Sequence, residues 1–133
     1  VMQDKFGNSP LDATIPGGMV DAATGVGWTV DTTGKAWRYK NGGKIVPLVG
    51  GISRIALRDV SNAIGNSVQG HLKFVVVGKR GSYAMDVAKI PVKGTLVLDP
   101  PTASTGECAV AIFPGLPTAT CAVDGTGGTL QCR

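Results

Sequence analysis

The sequence predicts an all-β chain, an antiparallel β-sandwich of about seven to nine short strands preceded by an irregular N-terminal segment. Apolar residues sustain no helical periodicity over a window of about 11–18 residues. Short runs rich in β-branched and aromatic residues recur at a spacing of about ten residues between turn signals. The 133 residues include 20 glycines and 8 prolines, which supply those turns. Strands of this number and spacing are typical of a sandwich.

The first two predicted strands form a hairpin. Gly27–Asp31 alternates Trp28 and Val30 with polar residues, and Ala36–Lys40 alternates aromatic residues with cations. The turn-prone residues Thr32–Gly34 lie between them. Because side chains alternate between the two faces of a strand, we expect the aromatic residues on the buried face and the cations on the solvent face.

The next predicted elements are a loop and two longer strands. Asn41–Gly51 contains four glycines and a proline, which favours a loop with at most a short edge strand. Ile52–Val60 carries apolar residues on one side and arginines on the other, whereas Leu72–Val77 is apolar on both sides. The second pattern predicts a central strand that is covered on both faces. The polar segment Ser61–Gln69 between the two strands is predicted to be a turn region.

The C-terminal half is predicted to contain the remaining strands. Gly78–Gly81 is predicted to form a turn into a strand at Tyr83–Ala88. Thr95–Leu98 follows, and the dipeptide Pro100-Pro101 ends it. The last three predicted strands each hold one cysteine and are Cys108–Phe113, Thr120–Val123 and Thr129–Cys132.

Two regions are expected along the chain. Residues 1–24 contain breakers around little apolar material and predict an irregular segment or linker. Residues 25–133 predict the β-sandwich domain. The sequence begins at Val1 and lacks a charged region followed by an apolar one. We therefore expect a mature or excised piece, with its signal peptide or upstream domains missing.

The three cysteines, Cys108, Cys121 and Cys132, all lie in the last 26 residues. No C-x-x-C pair and only one histidine argue against zinc. The clustering predicts an exported protein with one structural disulfide; the alternative is a cytosolic chain with three buried thiols. If the three strands were neighbours in two hairpins, Cys121 could bridge to either of the others. We favour Cys121–Cys132, with Cys108 free or an alternative partner, and all three connectivities remain open.

The charge is unevenly distributed. Thirteen Lys and Arg against nine Asp and Glu give a net charge of +4. A candidate anion-binding surface comprises six cations with no acid among them in the sequence: Lys35, Arg38, Lys40, Lys44, Arg54 and Arg58. The alternative is that these are only the solvated faces of two strands. No motif predicts a nucleic-acid partner, and no apolar stretch approaches the about 20 residues that span a bilayer.

Nothing in the sequence predicts an enzyme, a metal site or a cofactor. The only imidazole, His71, begins a predicted strand, where a surface role is the usual one. The carboxylates Asp86, Asp99, Glu107 and Asp124 lie at strand ends or in turns, where they commonly bond the local backbone. A calcium-binding turn at Asp99 or Asp124 remains open.

The aromatic residues offer a second candidate site. Trp28, Trp37 and Tyr39 are a candidate platform for a sugar, because flat aromatic faces pack against the apolar faces of sugar rings. With only 5% aromatic residues, however, the chain needs them in its core. The platform would make the protein a carbohydrate-binding accessory module of a secreted hydrolase.

Three segments carry a resemblance, namely Gly34–Tyr39, Val75–Tyr83 and Gly106–Cys108. Over residues 25–133 they resemble a β-rich domain that recurs at the C-terminal ends of large secreted or surface-associated bacterial proteins. That domain has no established activity, so no functional residue is carried over. The resemblance implies export and a position at the end of a longer polypeptide.

The expected function is that of a non-enzymatic extracellular structural, adhesion or assembly module of a secreted or surface bacterial protein. One version is a filament subunit, whose first 24 residues add a strand to a neighbour's sheet. The expected partners are a second copy or another extracellular protein, with polysaccharide as a further candidate.

Overall fold

The computed structural model describes residues 1–61, 70–79, 81–83, 91–98, 108–114, 121–123 and 129–132. Within these ranges the regular elements are strands and one 3₁₀ turn, Val49–Gly51, with no α-helix. This confirms the predicted all-β class. The strands are β1 Met2–Gln3, β2 Gly27–Val30, β3 Ala36–Lys40, β4 Ile52–Asp59, β5 Leu72–Lys79, β6 Val92–Val97, β7 Cys108–Phe113, β8 Cys121–Val123 and β9 Thr129–Cys132.

The chain divides into two compact units, one of residues 14–81 and one of residues 1–13 with 82–133. In the first unit β2, β3, β4 and β5 pair in that order into an antiparallel sheet, hereafter the central sheet. In the second unit β1, β6 and β7 form another antiparallel sheet, hereafter the terminal sheet, and β8 pairs with β9. Two antiparallel sheets are the composition that a β-sandwich requires. The predicted domain boundary at residue 24 stays a prediction.

The predicted hairpin of β2 and β3 is present, with Trp28 opposite Tyr39 and Val30 opposite Trp37. The first strand ends before Asp31, because that residue organises the turn. Its carboxylate accepts hydrogen bonds from the Thr33 hydroxyl at 2.8 Å and from the backbone N–H groups of Lys35 and Ala36 at 2.9 and 3.1 Å. A side chain that satisfies several backbone donors is a common device for fixing a turn.

The strand β5 is longer than the sequence predicts. It continues through Gly78, which pairs with Ile52, to Lys79, so the turn predicted to start at Gly78 is wrong. Most side chains of β5 are half-buried, not fully covered on both faces. The predicted loop between β3 and β4 is confirmed, since Asn41–Pro47 contains no strand and the 3₁₀ turn follows.

Residues 1–24, predicted to be irregular, contain the short strand β1. Met2 pairs with Gly94, and the Val1 ammonium donates a 2.8 Å hydrogen bond to the Thr95 carbonyl. The Met2 N–H also donates to the Leu11 carbonyl at 2.7 Å. A two-residue strand is too short to leave a periodic pattern in the sequence, which is why it was not predicted.

The remaining strands are near their predicted positions. β7 and β9 have the predicted bounds, whereas β6 begins at Val92, which is fully buried. From residue 84 onward, the strand predicted at Tyr83–Ala88 lies outside the described residues, and so does most of the turn region predicted at Ser61–Gln69. Among the described residues, the buried apolar side chains are Tyr39, Ile52, Ile55 and Leu57 in the first unit and Leu11, Tyr83 and Val92 in the second.

Candidate anion-binding face

The two faces of the central sheet differ in chemistry. On one face, cross-strand pairing forms two apolar rows, hereafter the apolar face: Trp28, Tyr39, Ile55 and Val76 in one row, and Val30, Trp37, Leu57 and Phe74 in the other. The alternation of side chains, which in β4 is regular from Arg54 onward because the register shifts between Ile52 and Arg54, sends the residues between them to the opposite side. That opposite side holds the candidate site.

We call this opposite side the cationic face. It carries six cations on three adjacent strands, and all six are exposed: Arg38 and Lys40 on β3, Arg54 and Arg58 on β4, and Lys73 and Lys79 on β5. Lys40 lies directly opposite Arg54, and Arg58 lies directly opposite Lys73. Directly opposed residues have Cβ atoms about 4.5–5.5 Å apart, so these pairs place like charges side by side.

The acids of the described residues do not neutralise this face, since none of them forms an ion pair with any of the six cations. Asp31 is bound within the hairpin turn. Asp59 accepts hydrogen bonds from the hydroxyl and backbone N–H of Ser61. These bonds, with a smaller contribution from the charge of Lys35, lower the pKa of Asp59. Six exposed cations with no ion-paired acid among the described residues are an arrangement that favours an anionic ligand.

The structure brings together four of the six predicted cations. Arg38, Lys40, Arg54 and Arg58 share the cationic face, whereas Lys35 lies in the hairpin turn and Lys44 in the loop after β3. Sequence reasoning missed the two lysines of β5, because the apolar run between them predicted a strand with no polar side and Lys79 was assigned to a turn. The spacing of Lys73 and Lys79, an even number of residues apart, was the available signal.

The three residues of the predicted aromatic platform share the apolar face, and the platform stays a prediction. Tyr39 is only 3% exposed, and Trp28 and Trp37 are half-buried. The Trp28 and Tyr39 rings pack with their centroids 5.5 Å apart at a tilt of 50°. The Trp28 indole N–H donates a 3.0 Å hydrogen bond to the Pro16 carbonyl. Ring packing and burial of this kind are typical of core residues.

Two further findings concern metal binding and membrane spans. The described residues contain no group of three or more His, Cys, Asp or Glu side chains that could hold a metal ion. Likewise, none of the helical structure described is both long and apolar enough to cross a membrane. The carboxylates Asp86, Asp99, Glu107 and Asp124 lie outside the described residues, so the calcium-binding turn stays a prediction.

The cysteine-bearing strands pair differently from the predicted three-strand arrangement. Cys121 of β8 lies directly opposite Cys132 of β9, as the favoured connectivity requires. Cys108 of β7 instead lies opposite Val97 of β6 in the terminal sheet, to which β8 does not belong. The Cys121–Cys132 disulfide stays a prediction. Peptide mass spectrometry of the non-reduced protein tests it: a linked Cys121–Cys132 pair is expected, and alkylation of both thiols would contradict it.

Comparisons with protein-family models, with curated proteins and with solved structures found no match. The resemblance of residues 25–133 to a C-terminal domain of secreted bacterial proteins therefore stays a prediction.

Proposed function

We propose that this protein is a non-enzymatic adhesion or assembly module of a secreted or surface protein, and that it acts by presenting the cationic face to an anionic extracellular partner. The observation that carries the proposal is the gathering of six exposed cations on one sheet face without an ion-paired acid among the described residues. Lys and Arg side chains gathered in this way attract anions through their charge.

The cost of this arrangement supports a binding role. Like charges directly opposite each other destabilise a sheet, yet Lys40 faces Arg54 and Arg58 faces Lys73. If these residues only kept the sheet soluble, alternating charges would do so and would stabilise the pairing. An anionic partner that binds across both pairs would offset the repulsion.

The alternative function, a carbohydrate-binding accessory module that uses Trp28, Trp37 and Tyr39, has no support from the exposure of these rings. The pairing of the N-terminal segment bears on the filament version of the assembly function. Residues 1–24 are the segment expected to add a strand to a neighbour, and within them β1 pairs with β6 of its own chain. Strand addition by β1 itself would first require it to leave that position.

The test compares two double charge reversals. Arg54→Glu with Arg58→Glu changes the cationic face, and the control, Lys5→Glu with Lys93→Glu, makes the same change in net charge on exposed residues of the other unit. Retention on an immobilised anionic polymer is measured over a salt gradient. We expect the first variant to bind about tenfold or more weakly, since two attractive charges become repulsive. The control is expected to bind nearly as the unmodified protein does.

Two results would overturn the proposal. One is equal weakening by both variants, which would indicate a response to net charge alone. The other is no binding of the unmodified protein to any anionic polymer at low salt. Binding to a neutral polysaccharide, with a shift in Trp fluorescence that both variants retain, would instead favour the accessory-module function.

A further inference from the structure

We infer that the partner of the cationic face is a linear acidic polysaccharide that lies parallel to the strands of the central sheet. This inference rests on the proposed function and specifies its ligand. Three features of the face carry it: the spacing of the cations, the small aliphatic floor between them, and the chemistry that this face lacks.

The cations form a continuous track along the strand direction. Three successive cross-strand rows on this face each contain at least one cation: Lys40 with Arg54, then Arg38, then Arg58 with Lys73. Lys79 extends the track along β5, two residues beyond Val77, which lies opposite Arg54. Neighbouring rows on one face are two residues apart, or about 7 Å, so the track is about 20 Å long. A polymer parallel to β4 therefore meets a positive charge about every 7 Å, which suits a chain with regularly repeated carboxylate or sulfate groups.

The floor between the cations is small and aliphatic. Ala56, Val75 and Val77 are half-buried on this face, and the exposed Thr29 lies beside Arg38 at its edge. The Thr29 hydroxyl is within 3.3 Å of the Arg38 carbonyl. Such a floor lets the apolar faces of sugar rings approach closely while the longer Lys and Arg side chains reach the anionic groups.

The face lacks the groups that two other anionic partners require. Sequence-tolerant binding of single-stranded nucleic acid uses aromatic side chains for base stacking, but the aromatic residues described in the central sheet lie on the apolar face. Binding to a membrane surface uses large apolar side chains that enter the headgroup layer. None of the large apolar residues that the structure describes as exposed lies on the cationic face.

The experiment measures affinity for four probes at equal ionic strength: a polyuronate, the same polymer after carboxyl reduction to the neutral sugar, single-stranded oligo-dT and vesicles of anionic phospholipid. We expect the polyuronate to bind at least about tenfold more tightly than the other three, a difference of about 1.4 kcal/mol. In a length series of the oligouronate, affinity is expected to rise until the chain spans the ~20 Å track and then to level off.

The outcomes separate this inference from the proposed function. Tighter binding to oligo-dT or to vesicles, reduced by Arg54→Glu with Arg58→Glu, would overturn the polysaccharide while leaving the anion-binding face intact. No binding to any charged probe would overturn both. Equal affinity for the polyuronate and its neutral form would also overturn both, because charge would then play no part. A rise in affinity that continues far beyond the length of the track would contradict the binding of a single chain along it.

Discussion

On β4 the side chains of Ile55 and Leu57 are 5% and 6% exposed, whereas their sequence neighbours Arg54 and Arg58 are exposed on the other side of the same strand. This contrast extends across the central sheet, whose apolar face holds the rings and branched side chains and whose cationic face holds six positive charges. Simple alternation therefore separates the residues that stabilise the sheet from those that we propose bind a ligand.

The separation implies that stability and binding can be changed independently. Burial on the apolar face contributes roughly 1.5–3 kcal/mol for each large side chain that is fully buried, while the charges opposite it oppose the pairing of their own strands. Substitutions on the apolar face should therefore lower the free energy of unfolding and leave ligand affinity unchanged. Substitutions on the cationic face should lower ligand affinity without lowering the free energy of unfolding.

The largest effect is expected for Leu57→Ala, since Leu57 is 6% exposed and lies between Trp37 and Phe74 in its row. Removing its methyl groups leaves a cavity and is expected to destabilise the fold by about 2–5 kcal/mol. Urea unfolding followed by Trp fluorescence measures this loss, and polymer affinity is measured where the variant is still folded. A loss of affinity in the folded variant would show that the two faces are not independent.

A smaller effect of opposite sign is expected for Lys40→Glu. The new carboxylate lies directly opposite Arg54, so a repulsive pair becomes an attractive one and stability should rise by about 0.2–1 kcal/mol. Polymer affinity should fall. The gain in stability should shrink at high salt, where exposed charges are screened.

Lys44→Glu is the matched control for that substitution, because Lys44 is exposed in the loop outside the sheet and the net charge changes equally. We expect it to leave both stability and affinity nearly unchanged. An equal gain in stability from the two substitutions would show that relief of net charge, and not the cross-strand pair, is responsible.

The smallest effect on stability is expected for Asp31→Asn, in the turn that connects β2 to β3. The hydrogen bond from Thr33, helped by the backbone N–H groups of Ala36 and Lys35, lowers the pKa of Asp31 below its usual value of 3.8. A carboxyl whose pKa is lowered by folding stabilises the fold above its unfolded pKa, and this contribution is lost as the pH falls through the folded pKa. The free-energy difference between unmodified protein and Asp31→Asn should therefore shrink on acidification below pH about 4.

Asp12→Asn removes the same charge from an exposed residue of the other unit and serves as its control. If the two substitutions give the same dependence of stability on pH, the hydrogen bonds of Asp31 in the turn are not the source of that dependence.

The parts of this fold that could be predicted are those with a strong local pattern. The alternation of aromatic residues with cations correctly predicted the bounds of β3. It also predicted that Arg38 and Lys40 lie on the face opposite the aromatic residues. Alternation also placed Arg54 and Arg58 opposite Ile55 and Leu57.

The parts that were missed depend on long-range pairing. β1 exists only because Met2 meets Gly94 across most of the chain, and the pairing of Cys108 with Val97 of β6 follows from the sheet, not from the symmetry of the cysteine spacing. The track of cations likewise depends on the register that sets Lys73 opposite Arg58. Register is specified by burial and turn geometry together, so short motifs do not reveal it.

The central claim concerns which cations contact the ligand, and lysine acetylation with and without bound polyuronate tests it most directly. Mass spectrometry of the peptides gives the protection of each lysine. We predict that Lys40, Lys73 and Lys79 on the cationic face are protected, while Lys5 and Lys93 in the other unit keep their reactivity. Equal protection of all five, or protection confined to Lys5 and Lys93, would contradict the account.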